Sequence, residues 1–123
     1  MKILIIEDDE ILSKVIAEEL KDANFEVVQA FDGQSGLDMA RSIKPDLVLL
    51  DIMMPKMNGF EVLEEIKNDI GIRSIPIIML TVLGSDDDIK KGLQLGAKDY
   101  IVKSQHAVAE IIDKIKQFLE NKQ

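Results

Sequence analysis

Short, continuous apolar runs alternate along this chain with longer segments whose apolar residues recur every three or four positions, and nothing else in the sequence restricts the fold as much. The runs KILII (2–6), LVLL (47–50), IIML (77–80) and YIV (100–102) have the length and continuity of strands covered on both faces. FEVVQAF (25–31) alternates more and predicts a strand nearer a sheet edge. Between them lie helical spacings: Leu12, Val15, Ile16 and Leu20; Leu37, Ala40 and Ile43; Phe60, Leu63, Ile66 and Ile70; and, last, Val108, Ile111, Ile112, Ile115 and Leu119. The fourth helix, in SDDDIKKGLQLG (85–96), has the weakest pattern. Ser85 and Asp88 predict a capping box, but only Ile89 and Leu93 would face inward, and Gly92 lies inside the helix. It should be marginal and therefore movable. Five strand–helix units in strict alternation, with short connections, predict an α/β fold: a parallel sheet with helices on both faces. With no internal repeat or linker, residues 1–123 read as one domain.

Charge and composition remove several functional classes. A net charge of −8, with lysines scattered among acids, is the wrong field for a phosphate backbone, so direct nucleic-acid binding is not expected. No cysteine is present, which excludes disulfides and thiolate metal sites and suits a reducing compartment. The first apolar run is too short for a signal peptide and ends in EDDE, so a cytoplasmic location without membrane insertion is the expectation.

In open parallel sheets ligands bind where strands end. Here the first strand ends in Glu7-Asp8-Asp9, the third in Asp51, the fourth in Thr81 and the fifth in Lys103. If the first and third strands are neighbours, Glu7, Asp8 and Asp51 crowd one edge. Two carboxylates ~4 Å apart repel by about 4 kcal/mol at an effective dielectric near 20, so something positive must stand among them. An all-oxygen acidic cluster without His or Cys suits Mg²⁺, which keeps open positions for water and phosphate. Lys103 offers a second positive charge and Thr81 a hydroxyl. The resulting hole is phosphate-sized, and Asp51 is the candidate nucleophile, because the turn carrying Pro55 and Gly59 leaves its side chain facing the crevice.

The segments IIEDDE, LLDIMMPKMNG, MLT and YIVK, in that order and spacing, resemble the receiver domain of two-component response regulators over essentially the whole chain. The resemblance implies a flavodoxin-like, doubly wound sheet of order 2-1-3-4-5. It implies that Asp51 is the phosphoacceptor, that Asp8 and Asp51 bind Mg²⁺ directly with the Met53 backbone carbonyl, and that Glu7 acts through water. Thr81 and Tyr100 would form a switch pair, and Lys103 would hold the phosphate. The implied donor is a histidine kinase or phosphotransfer protein, the implied activity is self-assisted phosphorylation and dephosphorylation rather than enzymatic turnover, and the implied output is protein binding through helix four, strand five and helix five. No effector follows Gln123 in this sequence, so output is expected to come from binding another protein unless the chain is part of a longer regulator.

Taken singly, most of these residues have ordinary readings: EDDE as a solvated helix start, Thr81 as a strand residue, Lys103 as a surface lysine, Tyr100 as core. Their joint placement at strand ends is what carries the assignment. His106 reads as a solvated or capping residue, and Met53, Met54 and Met57 as loop packing. Two positions depart from the usual family pattern. Ser104 replaces a proline that follows a cis bond, leaving the Lys103–Ser104 isomer and the reach of Lys103 open. Val82 replaces a small residue beside the site. The alternative from another class is a small aspartate-nucleophile phosphatase. Such enzymes need a second acid two residues after the nucleophile and a cap over the substrate; here that position is Met53, and no insertion is present. A flavin-mononucleotide binder is disfavoured because EDDE would repel the phosphate.

Overall fold

A computed structural model describes residues 1–121. The elements run β1 (Lys2–Ile6), α1 (Glu10–Asp22), β2 (Glu26–Ala30), α2 (Gly33–Ile43), β3 (Leu47–Leu50), α3 (Gly59–Lys67), β4 (Ile77–Thr81), α4 (Asp86–Gln94), β5 (Asp99–Val102), a 3₁₀ turn (Lys103–Gln105) and α5 (Val108–Asn121). All strand pairs are parallel, in the order β2-β1-β3-β4-β5. The five strand–helix units therefore stand as read from the sequence, with β2 at an edge, and the sheet order is the one that the family resemblance implies.

Successive strand residues point to opposite faces, so each continuous apolar run supplies two cores at once. Leu4, Ile6, Val48, Leu50, Ile77 and Met79 pack with α2 and α3 through Leu37, Ala40, Phe60, Leu63 and Ile66. On the other face Ile3, Ile5, Leu47, Leu49, Ile78, Leu80 and Ile101 meet α1 and α5 through Ile16, Leu20, Ile111, Ile112, Ile115 and Leu119. The residues of both cores are almost wholly buried, and truncating a central one such as Leu50 to Ala should cost about 2–5 kcal/mol.

Helix ends follow local chemistry. Asp9, Asp32, Asn58 and Ser85 each accept a backbone N–H at an N-terminus, satisfying a donor that has no partner within the helix. The reciprocal capping box forms at Asn58 and Glu61. At Ser85 only half of the expected box is present: the Asp88 amide donates to the Ser85 hydroxyl, which in turn donates to the Asp88 carboxylate.

Several apolar assignments need correction. Val15 is 39% exposed, and the buried stripe of α1 instead runs through Ser13, Ile16, Ala17 and Leu20, with Ser13 accepting a hydrogen bond from the Gln29 amide at 2.9 Å. A small residue faces the sheet there because the helix lies close to it. Ile70 is 81% exposed, because α3 stops at Lys67 and the chain turns before the 3.6-residue period brings Ile70 around. In α4 the inward residue is Gly92, whereas Leu93 is exposed and Ile89 half-buried. The glycine lies against the Tyr100 ring, and a helix that approaches through its smallest residue cannot also bury the larger ones beside it.

Candidate functional site

The C-terminal ends of β1, β3, β4 and β5 converge on one edge of the sheet, and the chemistry-bearing residues follow those strands directly. Asp51 continues β3 beyond Leu50, whose neighbours in register are Ile6 on β1 and Met79 on β4, so Glu7 lies beside Asp51. Glu7, Asp51 and Thr81 are the buried residues that bring carboxylates or a hydroxyl to this edge. Carboxylate oxygens of Glu7, Asp8 and Asp51 lie within 4.8 Å of one another, with Asp8 exposed. Strand adjacency thus assembles the acidic trio anticipated from sequence.

Lys103 closes the cluster from β5. Its ammonium is ion-paired with Glu7 Oε1 and lies 3.3 Å from Asp51 Oδ2. The Lys103–Ser104 peptide is trans, as are all described peptide bonds, and the lysine reaches Asp51 in that form. Two buried acids share one cation with the exposed Asp8 close by, and burial, followed by the adjoining Asp51 carboxylate, pushes Glu7 up to about 8 against the opposing pull of Lys103. This surplus of oxygen donors and negative charge is what a hard divalent cation relieves, so the donor set fits Mg²⁺.

Asp51 is held by its own loop. Oδ1 accepts from the Ile52 amide at 2.7 Å and the Met53 amide at 3.4 Å, leaving Oδ2 presented to Lys103. Thr81 ends β4 with its hydroxyl accepting the Leu83 amide at 3.3 Å. Tyr100 donates its hydroxyl to the Leu83 carbonyl at 2.5 Å, and burial, then Asp88 and Asp51, push its pKa up to about 12. Leu83 is therefore the shared anchor of Thr81 and Tyr100. Sequence reasoning missed it, because it works through backbone atoms that no side-chain pattern marks. Also missed was Lys91, whose ammonium lies 4.4 Å above the Phe60 ring and ties α4 to α3.

The remaining expectations divide. Met54 is buried and Met57 packs on the core, but Met53 is 54% exposed at the rim of the cluster, so the reading of all three methionines as packing is corrected there. His106 is 3.5 Å from Glu110, and it is the Glu110 carboxylate that accepts the Ala107 amide at the start of α5, so His106 meets the helix end through Glu110.

A sheet of this order, with an acidic trio and a lysine at its C-terminal edge, is the architecture of a signalling domain of the two-component type. Residues 3–116 match the family model described as response regulator receiver domain, and the chain belongs to that family. It is 41% identical over 102 residues to the DNA-binding dual master transcriptional regulator RpaA of Synechocystis sp., covering 83% of this chain and 42% of that protein. It is 39% identical over 126 residues to hybrid signal transduction histidine kinase D of Dictyostelium discoideum, covering 96% of this chain and 8% of that one. Among solved structures, the BeF3-activated N-terminal receiver domain of Klebsiella pneumoniae RstA superposes with a TM-score of 0.86 at 32% identity, over 95% of this chain and 97% of that chain. The chain spans only about two fifths of the regulator's length and a small part of the kinase's. No described helix is long and apolar enough to cross a membrane.

Proposed function

We propose that residues 1–123 act as a phosphorylation-dependent switch, with Asp51 taking a phosphoryl group from a phosphohistidine on a histidine kinase or phosphotransfer protein. The observation that carries this reading is the buried Asp51 carboxylate, fixed through Oδ1 by backbone amides and open through Oδ2 to Lys103 beside two further acids. In the transfer, an Asp51 oxygen forms a bond to phosphorus as the phosphorus–nitrogen bond breaks, and the imidazole leaves with the electron pair and takes up a proton. Phosphoryl transfer of this kind needs positioning and charge stabilisation more than covalent assistance. A bound Mg²⁺, held by Asp8, Asp51 and the Met53 carbonyl with Glu7 acting through water, would supply neutralisation of the phosphoryl oxygens. Lys103 moves its ion pair from the carboxylates to the phosphoryl group. The Thr81 hydroxyl turns toward the same group, which releases the Leu83 segment and with it the hydrogen bond that holds Tyr100.

The face formed by α4, β5 and α5 is then the output surface, read by a protein partner. The domain is no turnover enzyme in this reading: it promotes only its own phosphorylation and hydrolysis. Its place is the cytoplasm, where kinases of this class present their phosphohistidine.

Purified protein with Mg²⁺ and acetyl phosphate should gain one phosphoryl group by intact mass, and Asp51→Asn should gain none while keeping its circular dichroism and melting profile. An undiminished gain in Asp51→Asn would move the acceptor elsewhere.

A further inference from the structure

The loop between β3 and α3 is held from both sides at backbone level. Next to Asp51 it closes on the Ile52 carbonyl, which accepts the Met54 amide at 3.0 Å and the Gly59 amide at 2.9 Å. A β-carbon at Gly59 would collide with the Asp51 carbonyl and lie 2.7 Å from the Ile52 α-carbon, so α3 begins directly against the residue that carries the nucleophile. The far side of the loop rests on α2. A β-carbon at Gly33, the first residue of that helix, would collide with the Met57 carbonyl and stand 3.0 Å from both the Met57 β-carbon and Val62 Cγ2. Beside it, Asp32 caps α2 through the Ser35 amide at 2.7 Å. Its carboxyl is held below the usual range first by Ser35 and, more weakly, by attraction to Lys56 in the loop. Lys56 itself takes the left-handed φ of 68° that a non-glycine residue adopts only when its surroundings demand it.

Helix propensity gives no reason for glycine at position 33; alanine would favour α2 by up to about 1 kcal/mol. The reason is the loop, because the colliding atom is a backbone oxygen and no side-chain rotation can clear it. Displacement at Met57 would pass back along the loop to the Met53 and Ile52 amides, four and five residues away, the donors that orient Asp51 Oδ1.

We propose that the first turn of α2 is a positioning element for the acidic site, Gly33 letting the β3–α3 loop close so that Asp51 and the Met53 backbone take their places in the cluster. The proposal rests on the reading of Asp51 as a Mg²⁺-assisted phosphoacceptor, and it predicts that a change on a helix carrying none of the acidic ligands alters metal binding.

The experiment compares wild type, Gly33→Ala and Ala40→Gly by melting temperature, by calorimetric titration with Mg²⁺ alone, and by phosphoryl uptake from acetyl phosphate. Ala40 is fully buried on the same helix, and its glycine variant lowers stability without adding an atom near the loop. Gly33→Ala should weaken Mg²⁺ binding by about tenfold or more, the range seen when residues supporting metal ligands are lost, and slow phosphoryl uptake in parallel. Ala40→Gly should melt lower with its Mg²⁺ affinity intact. Equal Mg²⁺ affinity in Gly33→Ala and wild type, or an equal loss in Ala40→Gly, overturns the proposal. Should Gly33→Ala fail to fold, Asp32→Ala removes the cap that fixes the first turn of α2 without forcing an atom against the loop; weakened Mg²⁺ binding there supports the proposal and unchanged binding rejects it. Failure of wild type to take up phosphate would instead strike the assignment of Asp51, while the Mg²⁺ comparison would still judge the role of Gly33.

Discussion

Asp8 is the exposed member of the acidic trio, and its charge stands close to two buried carboxylates with one lysine to balance them. Asp8→Ala should therefore raise the stability of the metal-free protein, by no more than about 1 kcal/mol because water screens an exposed charge, and with it the melting temperature. The same change should weaken Mg²⁺ binding, so that added Mg²⁺ stabilises the variant less than wild type; equal stabilisation would remove Asp8 from the metal site. Tyr100 offers a second residue-level test, because it is the sole tyrosine in a chain without tryptophan and tyrosinate absorbance reads it alone. Its pKa lies near 12 in the folded protein against an ordinary 10.0, so the folded state holds its proton more tightly than the unfolded state. The stability this contributes is fully present below about pH 10 and is lost as pH rises through about 12. The absorbance midpoint should accordingly lie well above that of a free tyrosine and fall in Asp88→Asn, which removes the larger of the two charges opposing ionisation. A midpoint at the ordinary value would mean that Tyr100 does not stay in its half-buried place beside Leu83.

Among the elements, α4 is the most weakly held. Its buried residue is a glycine, three aspartates fill its first turn, and its apolar Leu93 faces water. The acids favour the helix dipole and Ser85 caps the end, so the helix forms, but little apolar area fastens it. The Lys91 ammonium over Phe60 is one tether and the ring of Tyr100 against Gly92 is another. Amide hydrogen exchange should be faster in α4 than in α3, whose Phe60, Val62, Leu63 and Ile66 are all buried. Lys91→Ala, removing a cation–ring contact of about 0.5–1 kcal/mol at an exposed position, should speed exchange in α4 further while moving the global melting temperature little. Uniform exchange across the helices would show that α4 is fastened as firmly as the rest. In the proposed switch, the element that changes place when Tyr100 moves has to come from this weak end of the stability range.

At the scale of the molecule, two apolar cores enclose one sheet and work against a net charge of −8 that repels itself. Raising ionic strength from about 0.01 M to about 0.15 M shortens the screening length from about 30 Å to about 8 Å, and the melting temperature in monovalent salt should rise with it. A flat or falling curve would mean that surface pairs such as Arg41 with Asp69, whose carboxyl is held low first by its hydrogen bond to Arg41, contribute as much as the self-repulsion removes. The same parallel sheet that separates the cores also brings its C-terminal edge together. Glu7 and Lys103, 96 residues apart in the chain, become an ion pair there.

The sequence by itself determined the five strand–helix units, the edge position of β2 and the identity of the acidic cluster, because these depend on periodicity and on which residue follows each strand. Short continuous apolar runs in strict alternation with helical patterns point to strands buried on both faces, and carboxylates that follow several such runs together point to the strand-end crevice. The tertiary structure decided whatever depends on distance between elements. Val15 and Ile70 keep the right spacing for a buried stripe, yet they are exposed because helix rotation and helix length are set by packing rather than by the helix's own pattern. Gly92 displaces Ile89 and Leu93 as the inward residue of α4 because the Tyr100 ring, nearby only in the fold, occupies that space. The reach of Lys103 to Glu7 and Asp51, the Leu83 carbonyl that holds Tyr100 and the clearance at Gly33 each join atoms from elements far apart in the chain. A one-dimensional pattern of side chains carries no record of such approaches, and they appear only when the chain has closed on itself.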